Sequence, residues 1–174
     1  MRFKDFFIFK ETSYYTLEPE DMIASGREAE VFNTSDPNVV VRVARKKRSG
    51  KGCEKILARP NIQATGGVVV IYGTKNVEGK NYTYKEKVSL NWEKFLENIY
   101  PSTFANEIID KLLSLKDLNL PEDQEEFNSI KRFLRSVPET ENLVSAIEAG
   151  VPIVDLYSMN LGVNRNNHIV ILDC

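Results

Sequence analysis

Three residues near the C-terminal end have the types and spacing for chemistry: Asp155, Asn160 and Asp173, in D-L-Y-S-M-N-L-G-V-N-R-N-N-H-I-V-I-L-D. Asp155 and Asn160 are five residues apart, and Asn160 and Asp173 thirteen. Between Asn160 and Asp173 the sequence predicts a strand over 161–164, a tight Asn166-Asn167 turn and a second strand over 168–172. A hairpin of that size folds back on itself and brings its ends together. Two carboxylates and a carboxamide then converge at its mouth. Such oxygen ligands suit a hard divalent cation carrying a phosphate.

The elements that must position these residues fall into two halves. Over roughly residues 20–88 the hydrophobic period is two, and from Asn91 onward it is about 3.6. An aromatic-rich opening (Phe3, Phe6, Phe7, Phe9, Tyr14, Tyr15) is expected to cover the first half. A hairpin follows over 22–32, turning at Gly26, then an Asp36-Pro37-Asn38 turn and a β-branched strand over 39–44 with Arg42 in its middle. Arg45 to Gly52 reads as a basic loop, and Cys53 to Arg59 as a short helix carrying Glu54 and stopped by Pro60. Strands are expected over 68–72 and 82–88, with a turn over 76–81. Helices then run over 91–98, from Ser102 or Thr103, from Pro121, and over 140–149 with Gly150 as the stop. Their apolar stripes (Phe104, Ile108, Ile109, Leu112 and Leu113; Phe127, Ile130, Phe133 and Leu134; Leu143, Val144 and Ile147) read as core.

A hydrophobic fraction of 42% at 174 residues is ordinary globular composition and argues against disorder. Net charge of −2 gives no pull toward nucleic acid or membrane. The basic run from Arg42 through Lys46, Lys47 and Arg48 to Lys55 is therefore read as a solvated loop beside a phosphate site. The longest apolar run in the first ten residues is four, too short for a signal peptide or a spanning helix. Two cysteines make no disulfide scaffold, and a soluble cytoplasmic protein is expected.

The D-L-x-x-x-N motif followed by a hairpin ending in Asp resembles the catalytic loop and metal-binding Asp of protein-kinase-like folds. Residues Ser25 to Phe32, S-G-R-E-A-E-V-F, are similar to the S-T-G-K-E-A-N-V-Y loop of RIO-type atypical kinases. The order of landmarks over residues 20–174 also resembles small kinase-like proteins of tailed bacteriophages, including early host-takeover kinases that act on host proteins.

The resemblance implies a truncated two-lobed α+β fold: an antiparallel-sheet, nucleotide-binding lobe over 1–88 and a small helical lobe with the catalytic loop over 89–174. It implies ATP and Mg²⁺ as cofactors. Asp155 would be the catalytic base, Asn160 a catalytic-loop residue and metal ligand, and Asp173 the main Mg²⁺ ligand. Gly26 would let the backbone approach phosphates, Val31 would pack on the adenine, and Arg42 would contact phosphate and pair with Glu54. Glu86, Lys87 and Val88 would form the hinge that meets the adenine edge.

The chain departs from the family pattern at several positions. Arg42 stands where the family has lysine, with Lys46 or Lys47 as alternative sources of an ammonium; Ala24 and Ala29 replace glycines; Ile153 and Val154 replace His and Arg; Tyr157 replaces the phage proteins' His; Cys174 replaces Phe. Taken alone, the Gly26 turn is also an ordinary hairpin turn, Arg42 an exposed strand residue and Glu54 a solvated helix residue. No activation loop follows Asp173 in the sequence, so a peptide substrate would be held differently. Two readings stand: a Ser/Thr-type phosphotransferase acting on a protein, or a kinase-like binding and regulatory protein without turnover.

Overall fold

The computed structural model describes Tyr14 and residues 16–26, 29–45 and 51–173, with side chains of the last stretch from Cys53 onward. The aromatic residues Phe3, Phe6, Phe7, Phe9 and Tyr15, the loop residues Arg27 and Glu28, Lys46 to Arg48, and Cys174 lie outside the described residues. The architecture is α+β, with a five-stranded antiparallel sheet and several helices. The chain forms two compact units: residues up to Lys55 with Val70–Lys87, and Ile56–Val69 with the chain from Val88.

The first unit is the sheet. Its strands β1 (Met22–Ser25), β2 (Ala29–Asn33), β3 (Val39–Ala44), β4 (Ile71–Val77) and β5 (Lys80–Glu86) run in the order β1-β2-β3-β5-β4. Alternation along β3 sorts its side chains onto two faces. Val39, Val41 and Val43 join Tyr84 in a buried apolar cluster, against which Tyr14, Leu17, Phe32, Tyr72 and Tyr82 pack. Fully burying each of the three valines contributes about 1.5–3 kcal/mol. The expected covering segment is present in its described part: Tyr14 stacks on Tyr72 at 4.2 Å, and Leu17 accepts a hydrogen bond from the Tyr84 hydroxyl at 2.9 Å.

The β4–β5 turn is shorter than the expected 76–81 loop. Only Glu78 and Gly79 turn, both at positive φ (51° and 82°), which is the mirror-type geometry that suits strand twist. Asn76 and Asn81, which read as loop residues, pair across the ladder, the Asn76 amide donating to Asn81 Oδ1 at 2.8 Å.

The second unit is mostly helical. The helix α1 (Lys51–Leu57), whose residues up to Lys55 belong to the first unit, starts two residues before the expected Cys53. Pro60 does not simply end it but opens α2 (Pro60–Gln63), because the first helical position needs no N–H. The expected strand over 68–72 is corrected as well: β4 begins at Ile71. Val68 instead makes a parallel bridge to Ile171, fixed by Val69 N–H to Ile171 O at 2.9 Å and Ile171 N–H to Gly67 O at 3.0 Å.

Four helices then follow: α3 (Trp92–Ile99), α4 (Ser102–Ser114), α5 (Gln124–Arg135) and α6 (Glu141–Glu148). The third helix starts at Gln124 rather than Pro121, since residues 119–123 close a turn in which Asp123 accepts the Asn119 N–H at 2.6 Å. Of the expected stripes, Ile108, Leu112, Ile130, Leu134, Leu143, Val144 and Ile147 are buried, while Phe104, Ile109, Leu113, Phe127 and Phe133 are half-buried. The hairpin β6 (Leu161–Val163) and β7 (Ile169–Ile171) forms at the expected place, and Asn164 Oδ1 accepts from the N–H groups of Asn166 and His168 to shape its turn. Gly67–Val69 flanks β7 and Ser89 flanks β6, so the hairpin is bonded on both edges.

Candidate functional site

In the first unit Val31 and Arg42 lie on the sheet face opposite the apolar cluster, whereas Glu86 pairs with Val39 on the cluster face. Ladder pairing places Val31, Arg42 and Thr83 in one row across β2, β3 and β5, and directly paired residues share a face. Arg42 is 8% exposed, and its Nη1 donates to Glu54 Oε1 at 3.1 Å. The ion pair expected from the family resemblance is therefore present, despite the short twelve-residue interval. Neither residue is exposed or solvated, as each alone had allowed.

The same carboxylate has a second cation that sequence reasoning missed. Lys85 Nζ lies 3.8 Å from Glu54 Oε1, with only 9% of the Lys85 side chain exposed. Alternation along β5 was the available signal, because Tyr82 and Tyr84 point into the apolar cluster and so send Thr83 and Lys85 to the Arg42 face.

Gly26 is exposed and closes the β1–β2 turn by donating its N–H to Ala29 O at 2.8 Å. A side chain there would meet only ordinary contacts, so sterics do not demand glycine. Glu86 is buried, its N–H given to Val70 O, and the Lys87 N–H goes to Asn38 O. Lys46 and Lys47 lie outside the described residues.

In the second unit a run of short-range backbone bonds winds residues 153–160. The N–H of Leu156 donates to Ile153 O, that of Tyr157 to Asp155 O at 2.9 Å, and that of Asn160 to Tyr157 O at 2.8 Å. Leu156 is buried and anchors the loop, while Asp155 stays exposed. The start of α3 holds the loop from outside: Trp92 Nε1 donates to Ser158 O at 3.0 Å, and Ser158 Oγ donates to Glu93 at 2.6 Å.

Asn160 is the junction of the set. Its side-chain nitrogen donates to the main-chain O of Asp155 at 2.7 Å, and its own carbonyl accepts the N–H of Leu172 at 2.8 Å. One residue thus touches both the Asp155 peptide and the neighbour of Asp173. With its NH₂ directed at Asp155, the Asn160 Oδ1 is turned away and presented as an acceptor. Main-chain groups of Asp155 and Leu172 thus meet at Asn160.

Beside this loop, Lys116 Nζ sits 5.4 Å from the centroid of the Tyr157 ring. A hydrogen bond to Asp117 is the main cause raising the Lys116 pKa above its ordinary value.

Among the described residues no group of three or more His, Cys, Asp or Glu is placed to hold a metal. A cation here would rest on a mixed set of Asn160 Oδ1 and the Asp173 carboxylate. That donor set fits magnesium, which keeps waters and substrate phosphates as most of its ligands and needs one or two carboxylates from protein. No family model and no curated protein matches the chain. No helix among the described residues is long and apolar enough to cross a membrane.

Proposed function

We propose that this chain is an ATP- and magnesium-dependent phosphotransferase of reduced kinase-like fold, transferring the γ-phosphoryl group to a hydroxyl of a protein partner. The observation that carries the reading is Asn160, bonded at once to the Asp155 peptide and to the residue before Asp173. The first unit contributes the cationic set, with Glu54 orienting the Arg42 guanidinium toward phosphate oxygens, Val31 on the same sheet face, and the Gly26 turn beside it. Glu86 and Val88 supply backbone groups for the adenine edge.

The second unit contributes Asn160 and Asp173 to hold the ion, and Asp155 to orient the acceptor. Magnesium, when bound, supplies neutralisation of charge on the phosphates. Asp155 accepts the acceptor's O–H proton as the new O–P bond forms and the bond to the ADP leaving oxygen breaks. Positioning and electrostatics account for most of the rate in such a transfer.

A second reading has one observation in its favour. Arg42 stands where the family has lysine, and its guanidinium is engaged by Glu54. That arrangement would serve a protein that binds nucleotide or a partner without turnover.

Incubation with γ-labelled ATP and a panel of serine- and threonine-bearing acceptor proteins separates the two. Asp155→Asn is nearly isosteric and removes the base, so it should keep nucleotide binding and lose at least about a hundredfold in transfer. Binding without transfer by the wild type would establish the second reading. Full transfer by Asp155→Asn would remove Asp155 from the chemistry.

A further inference from the structure

Two buried cations on the polar face of the sheet share one carboxylate. Arg42 Nη1 is 3.1 Å and Lys85 Nζ 3.8 Å from Glu54 Oε1, and the three side chains are only 9–12% exposed. Thr83 lies directly across the ladder from Arg42, on that same face, and is 1% exposed. Its hydroxyl is a buried side-chain polar atom with no hydrogen-bond partner among the described residues. Desolvating two like charges side by side is costly, and a hydrophobic residue at either position would often be as stable or more so. Such arrangements cluster where a site works on an oppositely charged ligand.

We propose that Lys85 is a second phosphate-binding cation, paired with Arg42 through their common Glu54. This rests on the nucleotide-binding reading above and names the residue that replaces the ammonium missing at Arg42. The two cations are held differently. Arg42 makes a direct hydrogen bond to Glu54, which fixes its planar fork. The Lys85–Glu54 separation of 3.8 Å is a charge pair beyond hydrogen-bond range. A compact ammonium on a four-carbon stem complements the planar fork as a point charge, with Glu54 neutralising part of its charge. Fork and point charge together suit two oxygens of a polyphosphate, and such charge-assisted bonds are the strong ones.

Calorimetric titrations of Mg–ATP, Mg–ADP and adenosine into wild type, Lys85→Met and Lys85→Arg test the assignment, with a melting curve for each protein. Lys85→Met should weaken ATP at least about tenfold, the equivalent of one charge-assisted hydrogen bond. Adenosine affinity should stay within about twofold, Lys85→Arg should recover most of the loss, and melting should not drop. Wild-type ATP affinity in Lys85→Met would overturn the role of Lys85 and leave the nucleotide reading standing. Equal losses of adenosine and ATP together with lowered melting would show a structural role only and overturn it too. Absence of ATP binding by the wild type would sink both.

Discussion

The two candidate sets are held by opposite means. In the first unit side chains hold side chains: Arg42, Lys85 and Glu54 are nearly buried and depend on one another's charge. In the second unit the backbone does the holding. Main-chain bonds wind the 153–160 loop, Trp92 and Glu93 brace it, and the Asp155 carboxylate is left in solvent. Charge is therefore part of the fold in the first unit and separable from it in the second. Substitutions at the two sets should differ accordingly in what they break.

Glu54→Ala is the severest test of that difference. It strands two buried cations, and breaking a buried pair by removing one partner costs about 3–5 kcal/mol. Chemical denaturation should register that loss; a change under about 1 kcal/mol would show that solvent reaches the cluster freely.

Gly67→Ala should come next. An added Cβ would lie 2.0 Å from the main-chain O of Asn142, and backbone cannot step aside as a side-chain tip can. A cost of about 3 kcal/mol is expected by the same measurement. It would show that the second unit too has an intolerant point, sited in packing and remote from charge.

Tyr100 supplies a smaller effect with a defined pH window. Its hydroxyl donates to Glu139 Oε2 at 2.6 Å, and burial, helped by that carboxylate, pushes its pKa up to about 12. A folded-state pKa raised above the unfolded value of about 10 means the contribution is full below pH ~10 and lost as pH rises toward 12. Tyr100→Phe should cost about 1 kcal/mol at neutral pH and flatten the alkaline decline in stability. An unchanged alkaline limb in the variant would assign that decline to other groups.

Smallest is the stability effect of Asp155→Asn, under about 0.5 kcal/mol, because an exposed carboxylate on a backbone-held loop has little to lose. A larger drop would mean that the loop needs its charge after all, and the contrast between the units would weaken.

Much of this was legible in the residues, for identifiable reasons. The terminal hairpin is local: β-branched strands, an Asn-rich turn and Asp at its end specify it without distant information. The Arg42 strand and the Glu54 helix were each readable from pattern, and the family resemblance supplied their pairing. Val68–Val70 was misplaced because three valines read as strand whichever sheet they join, and Val68's partner, Ile171, is about a hundred residues away. Asn76 and Asn81 misled through their low strand propensity, which cross-strand pairing overrides. Lys85 was legible only through the alternation along β5, since a lone lysine on a strand ordinarily points to solvent.

The central proposal is that the oxygen ligands Asn160 and Asp173 hold magnesium on a nucleotide's phosphates. Calorimetric titration of ATP into the wild type and Asp173→Ala, each with millimolar Mg²⁺ and with chelator, tests it most directly. Wild type should bind ATP at least about tenfold more tightly with Mg²⁺, and Asp173→Ala should lose that difference. No binding by the wild type in Mg²⁺, or a magnesium dependence unchanged in Asp173→Ala, would contradict it.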